Sequence, residues 1–238
     1  MSPRRAPMSA VTLTARGVLR GALRLAPLAP FVIPFGLAFG AAAVAAGFTP
    51  AQAVGMSAVV FAGASQFAAL EVWAHPMPWA TLVAVGLAVN ARFLVMSAAL
   101  APWANALPRW RRSLALAVLA DASFAQERPR LAAGERDFGV ILGGGLSQWA
   151  PWVVGTALGA TLGAAASDLA RFGVDVVMVC FFGALAASGL KRRANWAPSA
   201  AGASAALGVM GWVGAGWAVV IGALAGGVVA AVTPDRAA

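Results

Sequence analysis

The fold class of this chain is decided by the stretch from Trp79 to Ala101, WATLVAVGLAVNARFLVMSAALA. Its only charged side chain is that of Arg92, and most of the other residues are apolar. An α-helix rises ~1.5 Å per residue, so about 20 apolar residues cross the hydrocarbon core of a bilayer. The stretch therefore predicts a transmembrane helix.

Apolar segments of similar or greater length lie on both sides of this stretch. They cover Leu25–Gly47, Ala51–Trp73, Phe138–Gly163, Phe172–Leu190 and Trp196–Val232. The last is too long for one crossing, so we expect it to break near Gly211–Gly216 into a C-terminal helix pair. The chain is 61% hydrophobic and 11% charged, whereas soluble domains carry about 25% charged residues. We predict an all-α polytopic membrane protein.

The number of spans depends on Ser113–Ala125, an apolar stretch that is too short for a full crossing. If it belongs to a crossing helix, the chain has eight spans, with Lys191–Arg193 in the cytoplasm and Arg109–Arg112 outside. If it and one earlier segment are re-entrant, six spans remain and every basic cluster is cytoplasmic. Both topologies fit the sequence, so we expect about six to eight transmembrane helices.

Basic residues before the first apolar segment predict a cytoplasmic N-terminus. They are Arg4, Arg5, Arg16, Arg20 and Arg24. The segment that follows exceeds the apolar core of a signal peptide, so we expect an uncleaved anchor in a bacterial plasma membrane. The predicted organisation is a basic cytoplasmic segment at 1–24, a single transmembrane domain at 25–233 and a short tail at 234–238.

A short motif occurs twice in the chain. Gly63-Ala-Ser-Gln-Phe67 returns 82 residues later as Gly145-Leu-Ser-Gln-Trp149. This spacing suggests three-helix repeats at 25–101 and 107–190, followed by a helical hairpin at 196–233, although chance similarity would also explain it. Inverted repeats with broken helices around a midplane site are a common plan of secondary transporters.

Ionisable residues inside apolar segments are the first candidates for a site, because a charge at a helix centre costs roughly 2.5–3.5 kcal/mol on insertion scales. Arg92 lies deep in its segment, close to Asn90. It could bind a substrate carboxylate or hold an acidic residue in place. Asp121 has no basic residue within a helical turn, which makes Arg92 its obvious partner. Alternatively, Asp121 lies at a wet helix end beside Glu127.

The two Ser-Gln pairs, Ser65-Gln66 and Ser147-Gln148, follow Gly63 and the glycines Gly143–Gly145, where a membrane helix can unwind. A freed helix N-terminus is a site for a carboxylate. The alternative is that these side chains only hydrogen-bond neighbouring helices. Trp149, next to the second pair, could line an apolar pocket or pack inside the bundle.

Several function classes are disfavoured by what the sequence lacks. The formal net charge of +9 comes from arginines clustered between apolar runs rather than on one basic face, so we expect no nucleic acid partner. The chain has no phosphate loop ending in Gly-Lys-Ser or Gly-Lys-Thr, hence no ATPase motif. It has one histidine, one cysteine and no Gly-x-Ser-x-Gly elbow. We therefore expect no enzyme activity, no cofactor and no metal site.

Three motifs resemble the AzlC family of branched-chain amino acid permeases: Ala62–Phe67, Val89–Ser97 and Asp121–Ala125. The resemblance implies an exporter of leucine, isoleucine, valine and sometimes methionine that works with a small AzlD-type membrane subunit. Two positions depart from the family pattern, since Phe93 stands where the family usually has histidine and Ala122 where it commonly has glutamate. A proton relay through those two groups is therefore not expected.

Our hypothesis is alternating access about a midplane site that binds an amino acid substrate. The carboxylate would lie near Arg92 or the Ser-Gln helix breaks, and the ammonium group near Asp121. A non-transporting membrane scaffold, or a transporter of another small solute, remains the alternative. The predicted substrate-binding residues are Ser65, Gln66, Asn90, Arg92, Asp121, Ser147, Gln148 and Trp149.

Overall fold

A computed structural model describes residues 11–74, 76–165, 183, 187, 190 and 193–233. Within those residues the chain forms nine α-helices, which confirms the all-α prediction. In chain order they are α1 (Ala15–Leu25), α2 (Ala29–Ala45), α3 (Pro50–Val60), α4 (Gly63–Glu71), α5 (Trp79–Ala104), α6 (Arg109–Ala117), α7 (Asp121–Ala132), α8 (Gly139–Ala165) and α9 (Trp196–Val232).

Two stretches of the described residues are long and apolar enough to cross a membrane. One is α5, and the other is Ala15–Ala45, in which a 3-10 turn at Ala26–Leu28 joins α1 to α2. Helix α3 and the stretch Trp217–Val232 are apolar but shorter. The predicted segment Phe172–Leu190 lies outside the described residues apart from positions 183, 187 and 190. The expected six to eight spans remain a prediction.

The chain divides into two compact units, each made of two separate chain segments. The first unit contains residues 1–33 and 92–152, and the second contains 34–91 and 153–238. Helix α8 contributes its first half to the first unit and its second half to the second. The two sequence repeats have other boundaries and remain a prediction.

In the first unit, glycines let α1 lie directly against the start of α8. A Cβ atom at Gly21 would overlap the Val140 carbonyl, and one at Gly143 would overlap the Val18 carbonyl. Only glycine permits such close backbone contact, the arrangement that small residues give to packed membrane helices. An apolar core that includes Leu100, Leu131 and Phe138 lies in the same unit.

Helix α8 is continuous through Gly143–Gly145, so the predicted unwinding before Ser147-Gln148 was wrong. The physical reason is that these glycines serve packing. A Cβ atom at Gly145 would overlap the Val118 carbonyl at the end of α6, and one at Gly144 would touch Ser123 in α7. A run of glycines thus indicates helix contact as readily as a helix break.

In the second unit, the apolar segment predicted as Ala51–Trp73 is two helices rather than one. Helix α3 ends at Val60, the next residue, Phe61, has a left-handed φ of 38°, and α4 begins at Gly63. The break before Ser65-Gln66 is therefore observed. The Phe39 and Phe67 rings meet edge to face at 5.6 Å, which packs α4 against α2.

The predicted short helix at Ser113–Ala125 is also divided. Helix α6 ends at Ala117 and α7 begins at Asp121, so Asp121 lies at a helix N-terminus rather than in the middle of a helix.

The C-terminal segment is helical from Trp196 to Val232 and folds back on itself. A Cβ atom built at Gly202 would lie 2.9 Å from the Gly222 carbonyl, and one at Gly226 would lie 2.9 Å from the Pro198 carbonyl. In a straight helix, residues 202 and 222 would be about 30 Å apart. The chain therefore reverses direction between them.

Candidate functional site

Arg92 and Asp121 form an ion pair in the first unit. The Nη1 atom of Arg92, on α5, lies 3.3 Å from Oδ2 of Asp121, the first residue of α7. The predicted pairing of these two residues is thus confirmed. The Arg92 guanidinium also lies 5.2 Å from the centroid of the Phe93 ring, within the range of a cation–π contact.

The Arg92–Asp121 pair has unused binding capacity. The Nε atom of Arg92 is buried and has no hydrogen-bond acceptor among the described atoms. The Asp121 side chain keeps 52% of its surface exposed, so one member of the pair is open to other cations. A guanidinium offers its donors in a fork that suits a carboxylate.

Local sequence explains why Asp121 starts a helix. The Ser123 hydroxyl accepts a hydrogen bond from the Ala120 N–H at 3.1 Å and donates one to the Ala120 carbonyl at 2.9 Å. This closes the turn that begins α7. A carboxylate in the first helical turn is favoured by the helix dipole, which holds Asp121 at the position where it meets Arg92.

A second ion pair, between Arg24 and Glu127, was missed by the sequence analysis. Nη1 of Arg24 in α1 lies 2.8 Å from Oε2 of Glu127 in α7, and the Glu127 side chain is fully buried. Its other oxygen, Oε1, is buried without a hydrogen-bond partner among the described residues. The alternative of a wet helix end therefore fits Asp121, which is half exposed at the start of α7, but not Glu127.

A signal for this pair does exist in the sequence. Ser123, Glu127 and Leu131 are buried and recur every four residues, so Glu127 lies on the buried stripe of α7. The sequence analysis uses Arg24 only as evidence for a cytoplasmic N-terminus, so the pair with Glu127 is not predicted.

Asp137, between α7 and α8, anchors the start of α1. It accepts hydrogen bonds from the N–H (3.0 Å) and hydroxyl of Thr14, from the Gly139 N–H (3.1 Å) and from Arg20 (3.2 Å). Burial raises the pKa of Asp137, but these hydrogen bonds outweigh burial and hold the pKa below its ordinary value.

Ser147 and Gln148 also lie in the first unit, where they satisfy backbone groups. The Gln148 Nε2 atom donates to the Leu25 carbonyl at 3.1 Å, at the point where α1 ends. It lies 3.3 Å from the Ser147 hydroxyl, which itself donates to the Gly144 carbonyl at 2.9 Å. Trp149 is half-buried on the next position of α8.

In the second unit, neutral polar groups form a buried chain. The Gln66 Nε2 atom donates to the Ser57 hydroxyl at 3.1 Å, and that hydroxyl lies 2.8 Å from the Thr156 hydroxyl. Ser65 donates to the Ala62 carbonyl at 2.9 Å. Asn90, on α5, has a buried Oδ1 atom without a hydrogen-bond partner among the described residues.

Comparison with known families identifies the chain. The model of the family described as AzlC protein matches residues 27–166, which is more than half of the sequence. The chain belongs to the AzlC family. This family is associated with branched-chain amino acid transport, so membership indicates a transport protein rather than an enzyme. Neither a curated protein nor a solved structure matched the chain.

The AzlC match and the apolar helices together identify a membrane protein. All eight predicted site residues lie within the region matched by the AzlC model, as does Glu127. Arg24 lies just before it.

The structure distributes the predicted site residues of this AzlC chain over both units. The first unit holds Arg92, Asp121, Ser147, Gln148 and Trp149, and it brings Arg92 and Asp121 into contact. The second holds Ser65, Gln66 and Asn90. Among the described residues, no group of three or more metal-ligating side chains could hold a metal ion.

Proposed function

We propose that this chain is the large subunit of a secondary transporter that exports leucine, isoleucine, valine and sometimes methionine across the bacterial plasma membrane. It would work with a small AzlD-type membrane subunit and keep its N-terminus in the cytoplasm. The AzlC membership supports the substrate class, and the Arg92–Asp121 pair supports the way in which an amino acid would be bound.

The Arg92–Asp121 ion pair is the main support for this proposal, because its cation and anion are complementary to the carboxylate and the ammonium group of an amino acid. A zwitterion would exchange partners with it, with the substrate carboxylate taking Arg92 and the substrate ammonium taking Asp121. The unpaired Nε of Arg92 adds a second donor for the carboxylate, and the exposed Asp121 carboxylate is open to the ammonium. The protein's own pair would re-form when the substrate leaves, so neither charge stays uncompensated.

Specificity among amino acids would then come from contacts with the substrate's own side chain. An apolar pocket distinguishes one methylene by only about 1–3 kcal/mol, so leucine, isoleucine and valine should compete with one another. The charged groups common to all amino acids would bind the same two residues. The break between α6 and α7, directly before Asp121, is of the kind that transporters use to line a midplane site, and it supports alternating access.

Counterflow of radiolabelled leucine in proteoliposomes tests this proposal, with the chain reconstituted alone and together with its small subunit. Arg92→Ala and Asp121→Ala should each lower exchange by about 30-fold or more, because losing one partner of a charged hydrogen-bonded contact costs ~2–5 kcal/mol. Arg92→Lys should recover only part of the activity, since lysine lacks the guanidinium fork.

Two exposed charges provide matched controls. Arg128→Ala removes an exposed arginine of α7, and Glu71→Ala removes an exposed acid at the end of α4. Both should exchange leucine at the wild-type rate. Normal exchange in both Arg92→Ala and Asp121→Ala would refute the binding site, and no leucine exchange by the folded wild-type protein would favour another solute or a scaffold role.

A further inference from the structure

The Arg24–Glu127 pair is unusual because its carboxylate is fully enclosed while its cation is not. The Glu127 side chain has no exposed surface, whereas that of Arg24 is 29% exposed. Burying a carboxylate is unfavourable unless a cation and hydrogen bonds compensate it. Here the compensation is one-sided, since Oε2 meets Arg24 and Oε1 meets no donor among the described atoms.

Among the described residues, no second cation contacts Glu127. Helix α8 carries no ionisable residue, and α5 carries only Arg92, which pairs with Asp121. On α1, Arg20 is engaged by Glu135 and Asp137, and Arg16 is exposed. On α7 itself, the neighbouring charges Arg128 and Arg130 are exposed, as are Arg109 and Arg111 of α6, whereas Arg112 bonds Asn105. The charge of Glu127 therefore depends on Arg24.

We propose that Glu127 is the residue that binds the proton coupled to substrate movement, exchanging Arg24 for a proton as the transporter alternates between its states. The proposal rests on the transport function proposed above. When Arg24 withdraws, the buried carboxylate is left without a cation and takes up a proton, for which the unpartnered Oε1 is the open position. When Arg24 returns, the proton leaves and the ion pair re-forms.

The position of Glu127 suits coupling to the substrate site. It lies six residues after Asp121 on the same helix, so a movement of α7 that changes the Arg92–Asp121 contact would also change the Arg24–Glu127 contact. Arg24 is placed to move, because α1 ends one residue later at the 3-10 turn that contains Pro27. One rigid helix thus carries both the proposed substrate carboxylate and the proposed proton site.

Proton binding can be measured without transport, by infrared difference spectroscopy of the purified full-length chain in liposomes during a pH titration. The chain has eight acidic residues, so several protonated carboxyls absorb as pH falls. We expect one component of this C=O absorption to be absent in Glu127→Gln and to return at a shifted position in Glu127→Asp. Glu135→Gln is the matched control, because Glu135 also pairs with an arginine of α1 but is not fully buried. Identical C=O absorption in the wild type and Glu127→Gln throughout the titration would overturn the proposal.

Transport assays distinguish a role of Glu127 in proton coupling from a merely structural role. In proteoliposomes, Glu127→Gln should lower leucine flux driven by a pH gradient by about tenfold or more, while exchange at equal pH falls by less than about threefold, because exchange needs no proton turnover. Equal losses in both assays would contradict the proposal. If the wild-type chain exchanges no leucine, the proposed function fails, and the infrared band still decides whether Glu127 binds a proton.

Discussion

The two units use different chemistry for their buried polar groups. Every ion pair found among the described residues lies in the first unit, where Arg20, Arg24 and Arg92 meet acidic partners. The buried chain of the second unit is neutral and joins Ser57, Gln66 and Thr156. A neutral hydrogen bond keeps its strength over a wide pH range, whereas an ion pair responds to protons and to charged ligands. The polar groups that respond to pH and to charged ligands are therefore those of the first unit.

The largest expected loss of stability tests the close packing of a helix against α8, which both units have. Gly143→Leu would drive a side chain into the Val18 carbonyl, and Gly159→Leu would drive one into the Leu37 carbonyl of the second unit. Each should destabilise the protein by about 3 kcal/mol, the upper part of the range for overpacking. The measurement is the midpoint of thermal unfolding in detergent, monitored by circular dichroism.

Gly86→Ala is the control for both substitutions, because an added Cβ there meets no atom within 4 Å. It should leave the protein unchanged or raise its stability by up to ~1 kcal/mol. If Gly143→Leu lowers stability and Gly159→Leu does not, close packing against α8 is important in one unit only.

The second largest expected loss of stability comes from a change in the first unit. Asp137→Asn removes the charge that accepts from Thr14, Gly139 and Arg20, and we expect a loss of about 2–3 kcal/mol at neutral pH, since hydrogen bonds to charged groups contribute ~1.5–3 kcal/mol each. Asp137 lies outside the helices, and its folded-state pKa is lowered.

The sign of the pH dependence follows from that lowered pKa. The contribution of Asp137 to the free energy of unfolding is complete above the unfolded-state pKa of ~3.9 and is lost as pH falls through the folded-state pKa. Wild-type stability should therefore approach that of Asp137→Asn only below about pH 4, in unfolding scans from neutral pH to about pH 2. Parallel curves for the two proteins over this window would show that the Asp137 charge contributes nothing.

The smallest effect concerns the neutral chain of the second unit. Ser57→Ala removes the hydroxyl that contacts Gln66 and Thr156, with an expected loss of about 1–2 kcal/mol. The difference from wild type should be the same at every pH where both are folded. Ser113→Ala, on an exposed position of α6, should change stability by less than about 0.5 kcal/mol. A pH-dependent difference for Ser57→Ala would break the contrast between the units.

Sequence reasoning was most successful where a charge stood alone in an apolar segment. Arg92 and Asp121 had few alternative partners, so their contact could be predicted from the cost of leaving either one unpaired. The helix break before Ser65 was also predictable, because small residues gather there.

The same reasoning failed where residues had two physical uses. Glycine both breaks helices and permits close packing, and at Gly143–Gly145 the second use applies, which only the neighbouring Val18 and Val118 carbonyls reveal. Arg24 satisfies the positive-inside rule and also neutralises a buried acid. Its partner lies 103 residues further along the chain, and no local pattern connects positions so far apart.

The division of the first unit between two distant chain segments has a consequence for synthesis. Thr14 and its partner Asp137 are separated by 123 residues, so at ~5–20 residues per second the ribosome needs about 6–25 s to make the second after the first. During that interval α1 has neither Asp137 nor the glycines of α8 to dock against. The nascent N-terminal helix must therefore be accommodated by the insertion machinery or the lipid surface until α8 is made, so a ribosome pause before Gly139 would lengthen its exposure to proteolysis.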